Sequence, residues 1–226
     1  MAKASSSPLV IPGISLTGPG LITSHSNITK PEAFSDDQFN TWYNNVHIPD
    51  VLATGAVTAA YRFHHADPES PKPYMAVYFV PDLSAIQSEG FQSIPMTHSS
   101  LPDGVSMHAL AHFDTRIYSF TQEHVKDEQE PAGLPYPNLL VAAMEPGPTP
   151  EMAADLDAWY RQEHLEQMSK EPGWPPSSLL LYEFDKEAKL GTQVQPLDPM
   201  TDWTKKCMQE AQKIETGIYR KMSLGA

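Results

Sequence analysis

One motif occurs twice in this chain and limits what it can fold into. Phe39-Asn40-Thr41-Trp42-Tyr43-Asn44-Asn45-Val46-His47-Ile48-Pro49-Asp50 is matched further on by Leu156-Asp157-Ala158-Trp159-Tyr160-Arg161-Gln162-Glu163-His164-Leu165. Each copy has an apolar residue three positions before Trp-Tyr and a His four positions after Tyr. Phe39, Trp42, Tyr43 and Val46 fall at i, i+3, i+4 and i+7, a single apolar stripe on a helix. His47 lies one turn past Tyr43, so its imidazole borders that stripe. The chain has four Trp, and two of them hold matched places. The chain therefore reads as two copies of one unit.

The flanking segments align around this pair. Pro19-Gly20-Leu21-Ile22-Thr23-Ser24-His25 precedes the first helix, and Pro137-Asn138-Leu139-Leu140-Val141-Ala142-Ala143-Met144 precedes the second. Tyr74 to Phe79 and Ser178 to Phe184 follow them, and Thr115 to Tyr118 and Thr216 to Tyr219 close the copies. Each copy reads strand, helix, strand, helix, strand. The first has one more strand, Val57 to Phe63, which the second has lost where Pro172-Gly173-Trp174 runs into Pro175-Pro176. Ser35 with Gln38 makes a capping box, and Thr149-Pro150 caps the second motif helix with Pro at its first position. Ile48-Pro49 should end the first helix. Tyr74 to Val80 carries no charge on either face and reads as a central strand. The expected organisation is an arm (1–18), a first unit (19–126), a linker (127–136) and a second, degenerate unit (137–226).

The Trp-Tyr-x-x-x-His-x-Pro-Asp helix, with a strand before it and a Tyr-bearing strand after it, resembles the EthD-like branch of the dimeric α/β-barrel superfamily, and in particular fungal proteins carrying two such units in tandem. The resemblance covers Pro19 to the C-terminus. It implies an α+β fold in which two tandem ferredoxin-like units close an antiparallel β-barrel within one chain. It also implies a pocket between each unit's sheet and its helices. His47 and its partner His164 are the residues it carries over. The second copy departs from the pattern, with Leu165-Glu166 after His164 in place of Ile-Pro.

Composition narrows the function. The net charge of −13 argues against nucleic acid or an anionic membrane as partner. The single Cys207 excludes an internal disulfide or a thiolate metal cluster. No apolar run reaches the roughly 20 residues of a membrane span, and the first residues lack the apolar core of a signal peptide. A cytoplasmic location is expected by default. His64-His65 reads as part of a turn-rich loop. His108 and His112 have helical spacing but precede a strand without a zincin-type Glu, so no metal site is assigned.

The candidate catalytic residues are His47 and His25. Trp42, Tyr43, Tyr61 and Tyr78 are candidate substrate contacts, and His164, Trp159 and Tyr160 form a second candidate site. Trp residues on a helix stripe also simply pack, so each doubles as core. An imidazole moves protons in either direction near neutrality, and a phenol can donate to a developing enolate oxygen. The set suits cyclisation, decarboxylation, dehydration or isomerisation, with no cofactor. The resemblance points to tailoring enzymes of polyketide and related secondary metabolism acting on an apolar oxygenated small molecule such as a polyketide or terpenoid intermediate. A non-catalytic binding or stress-response module is the alternative, and an oxygenase or haem protein is a third reading. Both sheets come from one chain, so a monomer or weak homodimer is expected. Because the first helix should stop at Pro49 and the second copy has lost a strand, the working site is expected in the N-terminal half, with a shrunken second pocket.

Overall fold

A computed structural model describes residues 16–122, 124–125, 134, 136–170, 177–178, 182–186, 188, 190–195 and 198–224. The described elements run β1 (Gly20–Ile28), α1 (Asp36–Trp42), a π-helical turn (Tyr43–His47), α2 (Ile48–Ala53), β2 (Ala59–His65), β3 (Tyr74–Val80), α3 (Glu89–Gln92), β4 (Ala111–Ser119), β5 (His124–Val125), β6 (Asn138–Glu145), α4 (Pro150–Trp159), a second π-helical turn (Tyr160–His164), α5 (Leu165–Met168), β7 (Ser177–Ser178), β8 (Tyr182–Phe184), α6 (Asp202–Glu210) and β9 (Lys213–Lys221). The fold is α+β with antiparallel ladders.

The chain divides into two compact units. Unit 1 falls within Met1–Arg62, Pro71–Phe120 and Met222–Ala226, and unit 2 within Phe63–Ser70 and Thr121–Lys221. In unit 1 the strand order is β4-β1-β3-β2. β3 is central, as its uncharged faces required, and nearly all of it is buried. β1 pairs with β3 from Gly20↔Val80 to Ser26↔Tyr74, and with β4 from Gly20↔Ser119 to Ile28↔Ala111. Alternation sends Tyr74, Ala76 and Tyr78 toward the helix, where they join Phe34, Phe39, Trp42 and Tyr43 in the core. In unit 2 the order is β9-β6-β8. β6 pairs along its whole length with β9, from Asn138↔Arg220 to Glu145↔Lys213. Phe63 to His65 pair with the other edge of β9. Leu140, Met168, Tyr182 and Phe184 form this unit's core.

The local signals that start the helices act as the sequence requires. The Ser35 hydroxyl accepts from the Gln38 backbone N–H while the Gln38 side chain accepts from the Ser35 N–H. Thr149 caps α4 through the Met152 N–H, with Pro150 in the first turn.

Several expectations are corrected. Pro49 does not end the first helix, which resumes as α2 and runs to Ala53. The preceding π turn closes with the Ile48 N–H donating to Tyr43 O. That five-residue spacing already skips a hydrogen bond, so proline's missing N–H is absorbed at the start of α2. His64 and His65 lie in β2 and not in a loop. The ladders do not close a barrel among the described residues: β4 pairs with β1 alone and β8 with β6 alone. The short link in the second copy, Pro172 to Pro176, lies outside the described residues, as do most of the expected linker and of the N-terminal arm.

Candidate active site

Both motif helices contain a π turn at the same place. Tyr43 O accepts from Ile48 N–H in one, and Tyr160 O from Leu165 N–H in the other. A π turn has an extra residue compared with an α turn, which brings residues five apart into register. The His therefore lands on the Trp. The Trp42 and His47 rings stack with centroids 4.9 Å apart and 15° between planes. Trp159 and His164 stack at 4.2 Å and 24°. The Tyr between them meets the imidazole edge-on, at 5.1 Å and 82° for Tyr43, and 5.2 Å and 84° for Tyr160.

In unit 1 this turn borders a cavity of about 240 Å³ lined by Ile22, Ser24, Tyr43, His47, Tyr78 and His108, among others. The Tyr78 hydroxyl donates to the Tyr43 hydroxyl at 3.0 Å. Beneath Tyr43 lies Arg62, 1% exposed, its guanidinium carbon 4.3 Å from the Tyr43 ring centre, 5.4 Å from Phe39 and 5.5 Å from Tyr74. One of its nitrogens donates to Asn44 Oδ1 at 3.1 Å, while Nε and the other terminal nitrogen are buried without a partner. Among the described residues the groups that act on its charge are the phenols of Tyr43, Tyr78 and Tyr74, and no carboxylate. Burial pushes the Tyr43 phenol up, while the hydrogen bond from Tyr78 and the Arg62 charge pull it down. Burial lowers His47 to about 4, helped by Arg62 and His108. Its Nδ1 is buried without a partner.

In unit 2 the cavity is larger, about 390 Å³, and reaches from Leu140, Ala142 and Met144 on β6 across Trp159, Tyr160, His164 and Tyr182 to Met208 on α6. The expected shrinkage of the second pocket is therefore overturned. Met144, Met168, Met200 and Met208 are among the residues that line it. His164 Nε2 and the Tyr182 hydroxyl are 3.0 Å apart, and Tyr182 hydrogen-bonds Tyr160 in turn. Burial lowers His164 to about 4, against the nearby Glu163 charge. The Trp159 indole N–H reaches both Glu163 Oε1 and Thr204 Oγ1, each at 3.2 Å. Thr201 also donates to Glu163, at 2.5 Å.

The structure brings His47, Tyr43 and Tyr78 together on one cavity, and His164, Trp159 and Tyr160 on the other. Trp42 is fully buried behind His47 as its stacking partner. His25 and Tyr61 are not in the cavity lining. His25 alternates with Ser24, which is, and Tyr61 packs on Phe79, whose neighbour Tyr78 faces the cavity. Sequence reasoning missed Arg62, His108, Tyr182 and Thr204. For Tyr182 a signal existed, since it holds in its strand the place that Tyr78 holds in the first copy. No group of three or more potential metal-ligating side chains occurs among the described residues. An axial haem ligand needs an imidazole nitrogen facing open space; His164 has Nε2 tied to Tyr182 and Nδ1 buried, so it does not fit that role.

The fold is that of the dimeric α/β-barrel proteins. A solved anthrone oxidase-like protein aligns over 92% of each chain with a TM-score of 0.52 at 10% identity. A chlorite dismutase from Candidatus Nitrospira defluvii aligns over 93% of each chain, TM-score 0.52, at 11% identity. At these identities the likeness is one of fold. No family model matches the sequence. The core atranone cluster (CAC) protein 1 of Stachybotrys chlorohalonatus is 30% identical over 183 residues, 77% of this chain and 74% of that protein. This chain belongs to the family of that fungal cluster protein.

Proposed function

We propose that the protein is a cofactor-independent tailoring enzyme of secondary metabolism, of the EthD-like branch, that moves a proton on an apolar oxygenated small molecule. The observation that carries this reading is the Trp-stacked histidine set beside an apolar cavity and a hydrogen-bonded tyrosine pair, present in both units. Burial keeps His47 and His164 unprotonated at neutral pH, the form that accepts a proton. A positioned base of this kind contributes about 10²–10⁴-fold. In unit 1 His47 takes the proton from a carbon beside a carbonyl, and the Tyr43–Tyr78 pair, backed by Arg62, donates to the enolate oxygen that forms. His164 and Tyr160 hold the same places in unit 2. The relative named for the core atranone cluster supports a biosynthetic setting, and a polyketide or terpenoid intermediate is the substrate class we assign. The two units are read as tandem ferredoxin-like halves of a protein that works as a monomer or weak homodimer, which sedimentation at micromolar concentration tests.

The functional test is incubation with candidate polyketide aldehydes and acids, followed by mass spectrometry, for wild type and for His47→Ala and His164→Ala. A product of unchanged mass indicates cyclisation or isomerisation, and loss of water or of carbon dioxide indicates dehydration or decarboxylation. A product that has gained oxygen would overturn the proton-transfer reading.

A further inference from the structure

The unit 2 cavity differs from its counterpart in size, wall chemistry and hydrogen bonding, and these differences together specify a ligand. Its volume of about 390 Å³ lies within the range of small-molecule sites, roughly 300–1,000 Å³, whereas the 240 Å³ of the unit 1 cavity lies below it. Met144, Met168, Met200 and Met208 stand in its lining. Unbranched thioethers adapt to irregular apolar shapes and pack well on ring edges. Among the described residues the lining contains no Lys, Arg, Asp or Glu, which disfavours an ionised ligand and favours a neutral one.

The polar groups that remain are few, and most are already committed. Thr204 is occupied with Trp159 and Glu163. The neutral His164 has Nδ1 buried without a partner, which fits a ring that carries its proton on Nε2 and gives it to the Tyr182 oxygen. Tyr182 spends its own hydrogen on Tyr160. Along this chain the Tyr160 hydrogen is then the one left over, on a half-buried residue of the cavity wall; Gln195, which donates to Gln193 O, and Thr216 also line the cavity but are exposed to solvent. A hydroxyl that already accepts one hydrogen bond donates a stronger one.

We infer that the unit 2 cavity binds a neutral fused-ring molecule through one carbonyl oxygen, which accepts the Tyr160 hydroxyl at the end of the chain running from His164 through Tyr182. The inference rests on the small-molecule reading above and names its substrate class. Because its readout is binding and not turnover, the two can fail separately.

The test is calorimetric titration of the full chain with 1-tetralone, a bicyclic ketone, and with tetralin, the same skeleton without the oxygen. 1-Tetralone should bind about tenfold more tightly than tetralin, the size expected of one well-placed hydrogen bond. Tyr160→Phe should reduce 1-tetralone to the tetralin level and leave tetralin unchanged. Thr216→Trp, which fills the cavity from β9, should remove binding of both. If that variant does not fold, Ala142→Trp on the facing position of β6 serves instead, since Ala142 pairs with Thr216. Met96→Trp, filling the unit 1 cavity, should leave both affinities in place. Equal affinity for the two probes, no binding of either, binding that survives the filled unit 2 cavity, or binding lost with Met96→Trp would each overturn the inference.

Discussion

The two sites share a scaffold and differ in what surrounds it. Each has a His stacked on a Trp five residues before it, across a π turn. The residue just before the His is Val46 in unit 1 and Glu163 in unit 2. That one difference decides what the indole does. Trp159 donates to Glu163, while the Trp42 N–H is buried without a partner. Unit 1 has a buried cation, Arg62, under its tyrosine pair. In unit 2 no cation among the described residues acts on Tyr160 and Tyr182, and the His is joined to the phenols by a hydrogen bond. One backbone device thus serves two electrostatic settings: a small cavity suited to holding an oxyanion and a larger one suited to a neutral ligand.

The largest expected effect is on turnover. His47→Ala should lower it by about 10²-fold, because that ring is the one set to take the proton beside the Tyr43–Tyr78 pair. His164→Ala, whose Nε2 is engaged with Tyr182, should lower it by less, about tenfold. The reverse order, measured on the same substrate, would assign the main chemistry to unit 2.

Next comes acid stability, where the two histidines should behave alike. Each has its folded value lowered from 6.5 to about 4 by burial. The unfolded chain takes up these protons as pH falls past 6.5, and the folded chain resists until near 4. The stability they contribute is therefore full above about pH 6.5 and is lost as pH drops toward 4, by about 3 kcal/mol per ring at most. Urea unfolding at pH 7 and pH 4 should show a steeper loss for wild type than for His47→Phe with His164→Phe combined. Equal slopes would mean the rings are not held neutral by burial.

A smaller effect separates the units. Glu163→Ala removes the acceptor that Trp159, Thr201 and Thr204 share and should cost about 2 kcal/mol. Val46→Ala in unit 1 removes only half-buried apolar contact and should cost about 1 kcal/mol. Thermal melting decides it, and equal losses would erase the distinction drawn between Val46 and Glu163.

Much of the frame was legible because it is set locally. The capping box at Ser35, the cap at Thr149, the uncharged central strand Tyr74 to Val80 and the paired Trp-Tyr-x-x-x-His motifs all follow from short-range periodicity and side-chain chemistry. The π turn did not, because a period of 3.6 sets His47 beside Tyr43, whereas an inserted residue sets it on Trp42. The same turn explains why Pro49 failed as a stop. Arg62 was hidden because its strand alternates like any other, and a cation there reads as solvent-facing. His108, Thr204 and Met208 reach the cavities through packing between segments far apart in the chain, which no window of sequence reports. The volume of the second cavity likewise depends on where α6 lies over the sheet.

The Trp-stacked histidines are proposed as the proton-transfer groups. Turnover of the combined variant His47→Ala with His164→Ala, on whichever substrate the mass-spectrometric screen identifies, tests that assignment most directly. Turnover should fall by about 10²-fold or more in a protein that still folds and melts cooperatively. Turnover within threefold of wild type would contradict it and move the chemistry away from both cavities.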